Sequence, residues 1–240
     1  MEAKRSRRGT LQAIPRLIAD ILFPGRCLLC GSWLLFAGEP GSCVCAGCVT
    51  RLVPLGGRRC GICSIPLVSE IGICTRCRGT SYSFARNHSV FAYAAHIKEL
   101  VRAYKFSGRT RLSRLFAKIL AEAVALQFPG VPIVPVPARP GGNGPDHVGR
   151  IAGVLSRDHG FEIRRLLARA PGVSQKILDL EERRKNLLGK IRLRPGFAVP
   201  ERVILLDDIF TTGATADACA SVLREGGCKE VGVITLAIEE

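Results

Sequence analysis

Read for the spacing of its apolar positions, the chain changes character twice. Near the start, Leu11, Ile14, Leu17, Ile18, Ile21 and Leu22 recur three and four residues apart, which is one face of a helix, with Pro15 in the first turn where a missing N–H is tolerated. From residue 25 to about 80 this periodicity gives way to glycine, cysteine and short turns. From about 87 it returns as alternating strand and helix patterns. Ser89 to Tyr93 reads as a strand, Ile97, Leu100, Val101 and Tyr104 mark one helical face, and Leu112, Leu115, Phe116, Ile119, Leu120 and Val124 mark a longer one. Val131 to Val136 is a short apolar run suited to a buried parallel strand. Helices are predicted from about Asp146 to Arg157 and from Leu180 to Leu188. Arg202 to Leu206 is a strongly apolar strand, followed by a turn, a helix from about Thr215 to Glu225 and a last strand from Val231 to Ala237. Alternation of this kind predicts an α/β domain, a mainly parallel sheet covered by helices. Three segments follow: a basic tail and amphipathic helix over 1–24, a cysteine-rich module over 25–80 and the α/β domain over 87–240.

The middle segment holds nine of the 11 cysteines. Four C-x-x-C pairs stand out: Cys27/Cys30, Cys45/Cys48, Cys60/Cys63 and Cys74/Cys77. Two intervening residues let one tight turn aim both sulfurs at a single ion, and two such turns complete a tetrahedral zinc site with sulfurs about 2.3 Å from the metal. Four pairs predict two structural Zn²⁺ ions. Sequential pairing of the knuckles and a cross-braced arrangement both satisfy the spacing. The competing reading is a disulfide scaffold, which needs an oxidising compartment. The N-terminus opens with Lys4, Arg5, Arg7 and Arg8, but Arg16 and Asp20 interrupt the apolar run of a signal peptide and no small-residue cleavage site follows, so the expected location is the cytoplasm. No stretch has the about 20 apolar residues of a membrane span. Cys43 is the odd cysteine of the module. Cys219 falls in register with Val222 and Leu223 as a core position, and the four histidines are scattered.

Candidate chemistry lies after the Arg202–Leu206 strand, in Asp207-Asp208-Ile-Phe-Thr211-Thr212-Gly213-Ala214-Thr215. In an open parallel sheet, ligands sit at the carboxyl ends of the strands. Two adjacent carboxylates emerge there, directly before a loop of hydroxyls and glycine that opens a helix. Backbone N–H groups at a helix start suit a phosphate, whereas carboxylates suit sugar hydroxyls. Together they predict a sugar phosphate, its ribose diol on Asp207 and Asp208 and its 5′-phosphate on Thr211, Thr212, Gly213, Ala214 and Thr215. The competing reading is a plain turn with Thr215 as N-cap. No Gly-Lys-Ser/Thr follows, which excludes a Walker loop.

The net charge of +15 sharpens this picture by its distribution. Residues 98–194 hold 20 basic against 8 acidic groups, whereas residues 195–240 hold 3 against 8. The positive charge thus accompanies the part of the domain ahead of the acidic motif, as a phosphate-rich ligand requires.

The Asp207–Thr215 segment resembles the PRPP-binding motif of type I phosphoribosyltransferases. With the cysteine module upstream, the chain resembles the ComF competence family, which includes GntX-like proteins. Further matches are Phe23-Pro24 before Cys27, Tyr104-Lys105-Phe106 with Gly108, Val134-Pro135-Val136-Pro137, and Gln175 with Arg183 and Asn186. The resemblance implies a type I phosphoribosyltransferase-like sheet preceded by a zinc-ribbon-like module, PRPP with Mg²⁺ as ligand, and phosphoribosyl transfer as activity. It also implies a pyrophosphate loop at Pro137 to Arg139 and a mobile Gln175–Asn186 stretch closing with Arg183 or Lys185. Asp207, Asp208, Arg139 and Arg183 are then the catalytic set. The chain departs from the family at Arg139-Pro-Gly-Gly-Asn-Gly-Pro-Asp146-His147, where relatives carry an arginine-rich stretch ending in Gly-Phe-Asn-Gln. The alternatives are a PRPP- or nucleotide-binding protein without turnover, and a protein handling single-stranded DNA together with competence machinery. Aromatics are only 6% of the chain, against the aromatic-lined grooves of single-strand binders, though Trp33 and Phe36 sit in the cysteine module. An apolar cap over the metal knuckle is the expected role of those two.

Overall fold

The computed structural model describes residues 25–34, 43–138, 145–170 and 189–239. The helix predicted near Leu11–Leu22, the one predicted over 180–188, and Phe36 lie outside these residues. The chain forms two compact units, one of residues 1–53 with 99–112, the other of residues 54–98 with 113–240.

The described part of the first unit is a small ribbon and the end of a helix. Arg26 and Trp33 pair as an isolated antiparallel bridge around the Cys27–Cys30 turn, and Gly31 takes φ +73° to close it. A one-turn helix, α1 (Ala46–Val49), follows Cys45. The second unit opens with a copy of this design. Arg59 and Pro66 bridge around the Cys60–Cys63 turn, and a second one-turn helix, α2 (Thr75–Arg78), follows Cys74. At the position of Gly31 the second copy carries Ser64, also left-handed at φ +72°.

The rest is α/β: β1 (Arg86–Ala92), α3 (Ala95–Phe106), α4 (Leu112–Gln127), β2 (Ile133–Pro135), α5 (His147–His159), β3 (Leu167–Arg169), β4 (Ile191–Leu193), β5 (Arg202–Phe210), α6 (Ala214–Glu225) and β6 (Glu230–Ile238). Helix α3 runs from the second unit into the first. The main sheet has the order β1-β6-β5-β2, parallel throughout. Its inner strands are buried along most of their length, as near-continuous apolar sequences such as Val203-Ile-Leu-Leu206 and Val231-Gly-Val-Ile-Thr-Leu-Ala-Ile238 require. Helix α5 lies against β2 and β5, and α6 lies against β5 and β6. Helix α5 is bounded as its sequence dictates: Asp146 caps its start by accepting the Gly149 N–H at 2.8 Å, and Gly160 at φ +73° ends it. Gly232 in β6 is needed for close approach, because a Cβ there would fall 2.6 Å from the Phe128 ring.

Every predicted strand and helix among the described residues is present, with two corrections. Strand β5 does not end at Leu206 but runs on to Phe210, because β6 stays paired beside it as far as Ile238. Helix α6 starts at Ala214, capped by Gly213 at φ +79° rather than by Thr215. The antiparallel β3–β4 pair was not expected from the sequence, since three-residue strands are too short to show a period.

Candidate functional site

The carboxyl ends of β2 and β5 lie at one edge of the sheet, since the two strands are parallel neighbours with Pro135 opposite Leu206. The β5 end carries the predicted motif. Asp207 and Asp208 are half-buried in the last part of the strand rather than in a turn, with Asp207 opposite Thr235 of β6. An Asp207 carboxylate oxygen accepts the Asp208 N–H at 2.9 Å, which fixes the orientation of the first acid. The charge of Asp207 also reaches α6: burial pushes the Cys219 thiol up, and the Asp207 carboxylate adds to the effect.

Three residues then turn the chain into α6. Thr211 is exposed, Thr212 is half-buried and Gly213 is buried. The Ala214 N–H donates to the Thr212 hydroxyl at 3.3 Å, and the Asp217 N–H to the Gly213 carbonyl at 2.8 Å. Gly213 is required twice over. Its φ of +79° is left-handed, and a Cβ there would lie 2.8 Å from Phe210 Cζ and 3.2 Å from Tyr82 Cε1. The arrangement can offer backbone N–H groups and threonine hydroxyls to an anion on one side and two carboxylates to hydroxyls on the other. The structure therefore brings Asp207, Asp208, Thr211, Thr212, Gly213, Ala214 and Thr215 onto one strand–loop–helix. Arg139, Arg183, Gln175, Lys185 and Asn186 lie outside the described residues.

Beside the β2 end is a cleft of about 160 Å³, lined by Pro135 to Ala138, Asp146, Arg165 and Arg194 among others. Arg165 stands 3.6 Å from the Asp146 carboxylate and donates to the Gly149 carbonyl at 3.2 Å. Arg194 donates to the Leu167 carbonyl at 3.2 Å. Both arginines are thus held in place near the turn expected to face pyrophosphate, although the sequence reading singled out neither of them. No local period marks Arg194, because the strand before it, Ile191–Leu193, is only three residues long.

The cysteines gather into two groups of four, Cys27, Cys30, Cys45 and Cys48 in the first unit and Cys60, Cys63, Cys74 and Cys77 in the second. This is the sequential pairing. Within each group the sulfurs lie within 4.8 Å of one another. Cys30 and Cys45 are 3.8 Å apart, and Cys63 and Cys74 are 3.7 Å apart. Four sulfurs at about 2.3 Å from a tetrahedral zinc would sit about 3.8 Å from each other, so the residues fit the ion. The Cys45 N–H donates to Cys27 Sγ at 3.4 Å and the Cys74 N–H to Cys60 Sγ at 3.3 Å, which favours thiolates at equivalent points of the two ribbons. Burial opposes ionisation of Cys60, but backbone donors from Cys63, Cys74 and Ile62 outweigh it and bring the thiol to about 6. Burial and the neighbouring Cys63 push Cys77 the opposite way. Four thiolates so close require a cation to offset their mutual repulsion. Cys43 stands outside both groups, and its carbonyl accepts the Leu28 N–H at 3.0 Å. Trp33 is not a buried cap: it is 52% exposed, with the Arg26 guanidinium 4.1 Å from its ring centroid.

Residues 18–78 match the family model described as a double zinc ribbon domain. Over most of its length the chain is similar to the competence protein ComFC of Streptococcus pneumoniae, 27% identical over 226 residues, 88% of this chain and 99% of the relative. The ComFC of Bacillus subtilis is 26% identical over 222 residues, 84% of this chain and 89% of the relative. The DNA utilization protein YhgH of Salmonella typhi is 29% identical over 236 residues, 88% of this chain and 95% of the relative. Among solved structures, the glutamine phosphoribosylpyrophosphate amidotransferase from B. subtilis shares 22% identity at a TM-score of 0.36, over 51% of this chain and 25% of that one. The adenine phosphoribosyltransferase from Leishmania tarentolae shares 16% identity at a TM-score of 0.36, over 65% of this chain and 79% of that one. Among the described residues, no helix is long and apolar enough to cross a membrane. With a double zinc ribbon match over residues 18–78 and likeness along most of its length, the chain is similar to the ComFC competence proteins.

Proposed function

We propose that this protein binds PRPP with Mg²⁺ at the end of β5 and transfers its phosphoribosyl group to an acceptor nucleophile, in a role connected with DNA uptake. The observation that carries the reading is the pair of half-buried acids, Asp207 and Asp208, at the end of a strand that turns through Thr211 and Thr212 to a left-handed Gly213 at the start of α6. On this reading Asp207 and Asp208 accept the ribose 2′- and 3′-hydroxyls. The loop N–H groups and the Thr211, Thr212 and Thr215 hydroxyls hold the 5′-phosphate. Transfer breaks the bond between ribose C1 and pyrophosphate and forms one from C1 to the acceptor, whose proton is released. The ribose ring gains positive character between the two events, and the two carboxylates nearby stabilise it electrostatically. Arg139 and Arg183 are assigned to neutralising the charge of the leaving group, and Mg²⁺ arriving with PRPP would supply further neutralisation. The two Zn²⁺ ions are structural, because four cysteines each leave no open coordination position.

The test is a thermal-shift and calorimetric titration of the full chain. PRPP with Mg²⁺ is expected to raise the melting temperature, and Asp207→Asn with Asp208→Asn to abolish the shift without lowering the ligand-free melting temperature. No shift in the wild type would sink the reading.

A second reading rests on a separate observation, the exposed Trp33 ring with Arg26 stacked on it. A half-exposed indole beside a guanidinium is a platform on which an unpaired base can stack. On this reading the first ribbon touches single-stranded DNA. Binding of an oligonucleotide should weaken steeply with salt, and Trp33→Ala should weaken it about tenfold, corresponding to the ~1–3 kcal/mol of one stacked base. Affinity that ignores both salt and Trp33 would remove it.

A further inference from the structure

The stretch that leaves the second four-cysteine group, Tyr82-Ser83-Phe84, ends up against the phosphate loop proposed above. The Tyr82 hydroxyl donates to the Thr212 carbonyl at 3.3 Å. The Ser83 N–H donates to the Asp217 carboxylate at 2.7 Å, and the N–H of Asp217 itself donates to the Gly213 carbonyl. The Tyr82 and Phe84 rings stack at 4.7 Å, and Phe84 meets Phe210 edge-on at 6.0 Å. Gly213 lies in the angle between Phe210 and Tyr82. Three residues after the ribbon thus touch the loop at both ends and at its apex: the last residue of β5, the Thr212 carbonyl and the first turn of α6.

These contacts have directional consequences. No peptide bond among the described residues is cis, and in a trans peptide the N–H points opposite to the C=O. By holding the Thr212 carbonyl towards Tyr82, the hydroxyl turns the Gly213 N–H to the other side of the loop. The Ser83 N–H engages Asp217, the acid in the first turn of α6, where a loose carboxylate would repel an anion. The ribbon itself is part of the same body. Its four cysteines lie in one apolar cluster with Phe84, Phe210, Ala216 and Ala220. A buried polar chain joins it to the acidic half of the motif as well: Asn87 donates to the Cys63 carbonyl at 2.9 Å and to Ser89 at 2.8 Å, and Ser89 meets Thr235, the cross-strand partner of Asp207, at 2.7 Å.

We infer that the second zinc ribbon is the frame of the ligand site, with Tyr82 and Asp217 as positioning residues that set the phosphate loop. The inference rests on the reading that this loop binds a phosphate.

The experiment measures affinity of the full chain for PRPP with Mg²⁺ and for ribose 5-phosphate, together with the ligand-free melting temperature. Tyr82→Phe keeps the stacked ring and removes only the hydroxyl, so it should weaken both ligands about fivefold, the effect of one hydrogen bond, while leaving the melting temperature within about 1 °C of wild type. Asp217→Ala should weaken both ligands, whereas Asp217→Asn, which keeps an oxygen for the Ser83 N–H, should restore most of the affinity. A wild-type chain that binds both ligands, with Tyr82→Phe and Asp217→Ala binding them equally well, would overturn the positioning role and leave the ligand reading standing. A wild-type chain that binds neither ligand would overturn the ligand reading and this inference with it. Tyr82→Ala alone is uninformative on the point, since losing the ring can unfold the cluster, and it serves only as the stability reference.

Discussion

Gly213 and His88 show how much can rest on single positions. Gly213 combines a left-handed backbone with two aromatic rings at the distance of its missing side chain. Gly213→Ala must therefore bear both the backbone penalty and a shift of Phe210 or Tyr82. It is expected to lower stability by about 1–3 kcal/mol in denaturant titration and to remove the ligand-induced thermal shift. His88 acts through pH. Burial first, and then the positive charges of Arg59 and Arg86, hold its imidazole down to about 4, so it is neutral in the folded chain at pH 7. The unfolded chain takes up this proton near pH 6.5. Between those two values the unfolded state binds more protons, so the contribution of His88 is fully present above about pH 6.5 and declines as pH falls towards 4. Denaturant midpoints at pH 7 and pH 5 should differ, and His88→Asn should reduce the difference.

The two ribbons differ in burial despite their shared design. All four cysteines of the second are buried, whereas in the first Cys30 is exposed and Cys45 half-buried. An exposed thiolate can be reached by an incoming chelator. Metal analysis is expected to return two zincs per chain, with the first-ribbon ion leaving earlier under EDTA, and Cys63→Ser should lower the melting temperature more than Cys30→Ser. Simultaneous release at one rate would contradict this order. The elements also divide by how legible they were. Long buried strands and amphipathic helices were readable because burial on one or both faces dictates their composition: Val203–Leu206 and the Leu112–Val124 stripe leave little choice. The sequential pairing of the cysteines was left open, because it depends on turns that the spacing does not constrain. The end of β5 was misjudged because two aspartates look like a turn, whereas the ladder to β6 continues past them. Tyr82 and Phe84 passed unnoticed because their role is set by residues about 130 positions away, and no local period reports that.

For the molecule as a whole, the boundary between compact units falls between the two ribbons, at residues 53 and 54, within a stretch that matches one double-ribbon family model. The paired cysteine groups are thus alike in chemistry and separate in setting. One is near the exposed Trp33, and the other is buried in the cluster that includes Phe210. The unequal charge has a similar logic. The acidic last 46 residues hold β5, α6 and β6, while the basic groups precede them, so a phosphate-rich ligand would be drawn in by one part of the chain and its hydroxyls held by another.

The pairing of β1 with β6 has a consequence for how the protein is made. These strands begin far apart, with Ser89 and Thr235 in contact across 146 residues. β6 is also the partner of β5, so it sits inside the sheet rather than at its rim. A ribosome delivers β6 after both of its partners. Until then β1 and β5 have no common neighbour, while both cysteine groups are already complete and able to take metal. A nascent chain therefore carries two ribbons able to take metal ahead of an open sheet whose apolar strand edges await the nine residues of β6, and that interval is when it most needs protection from aggregation.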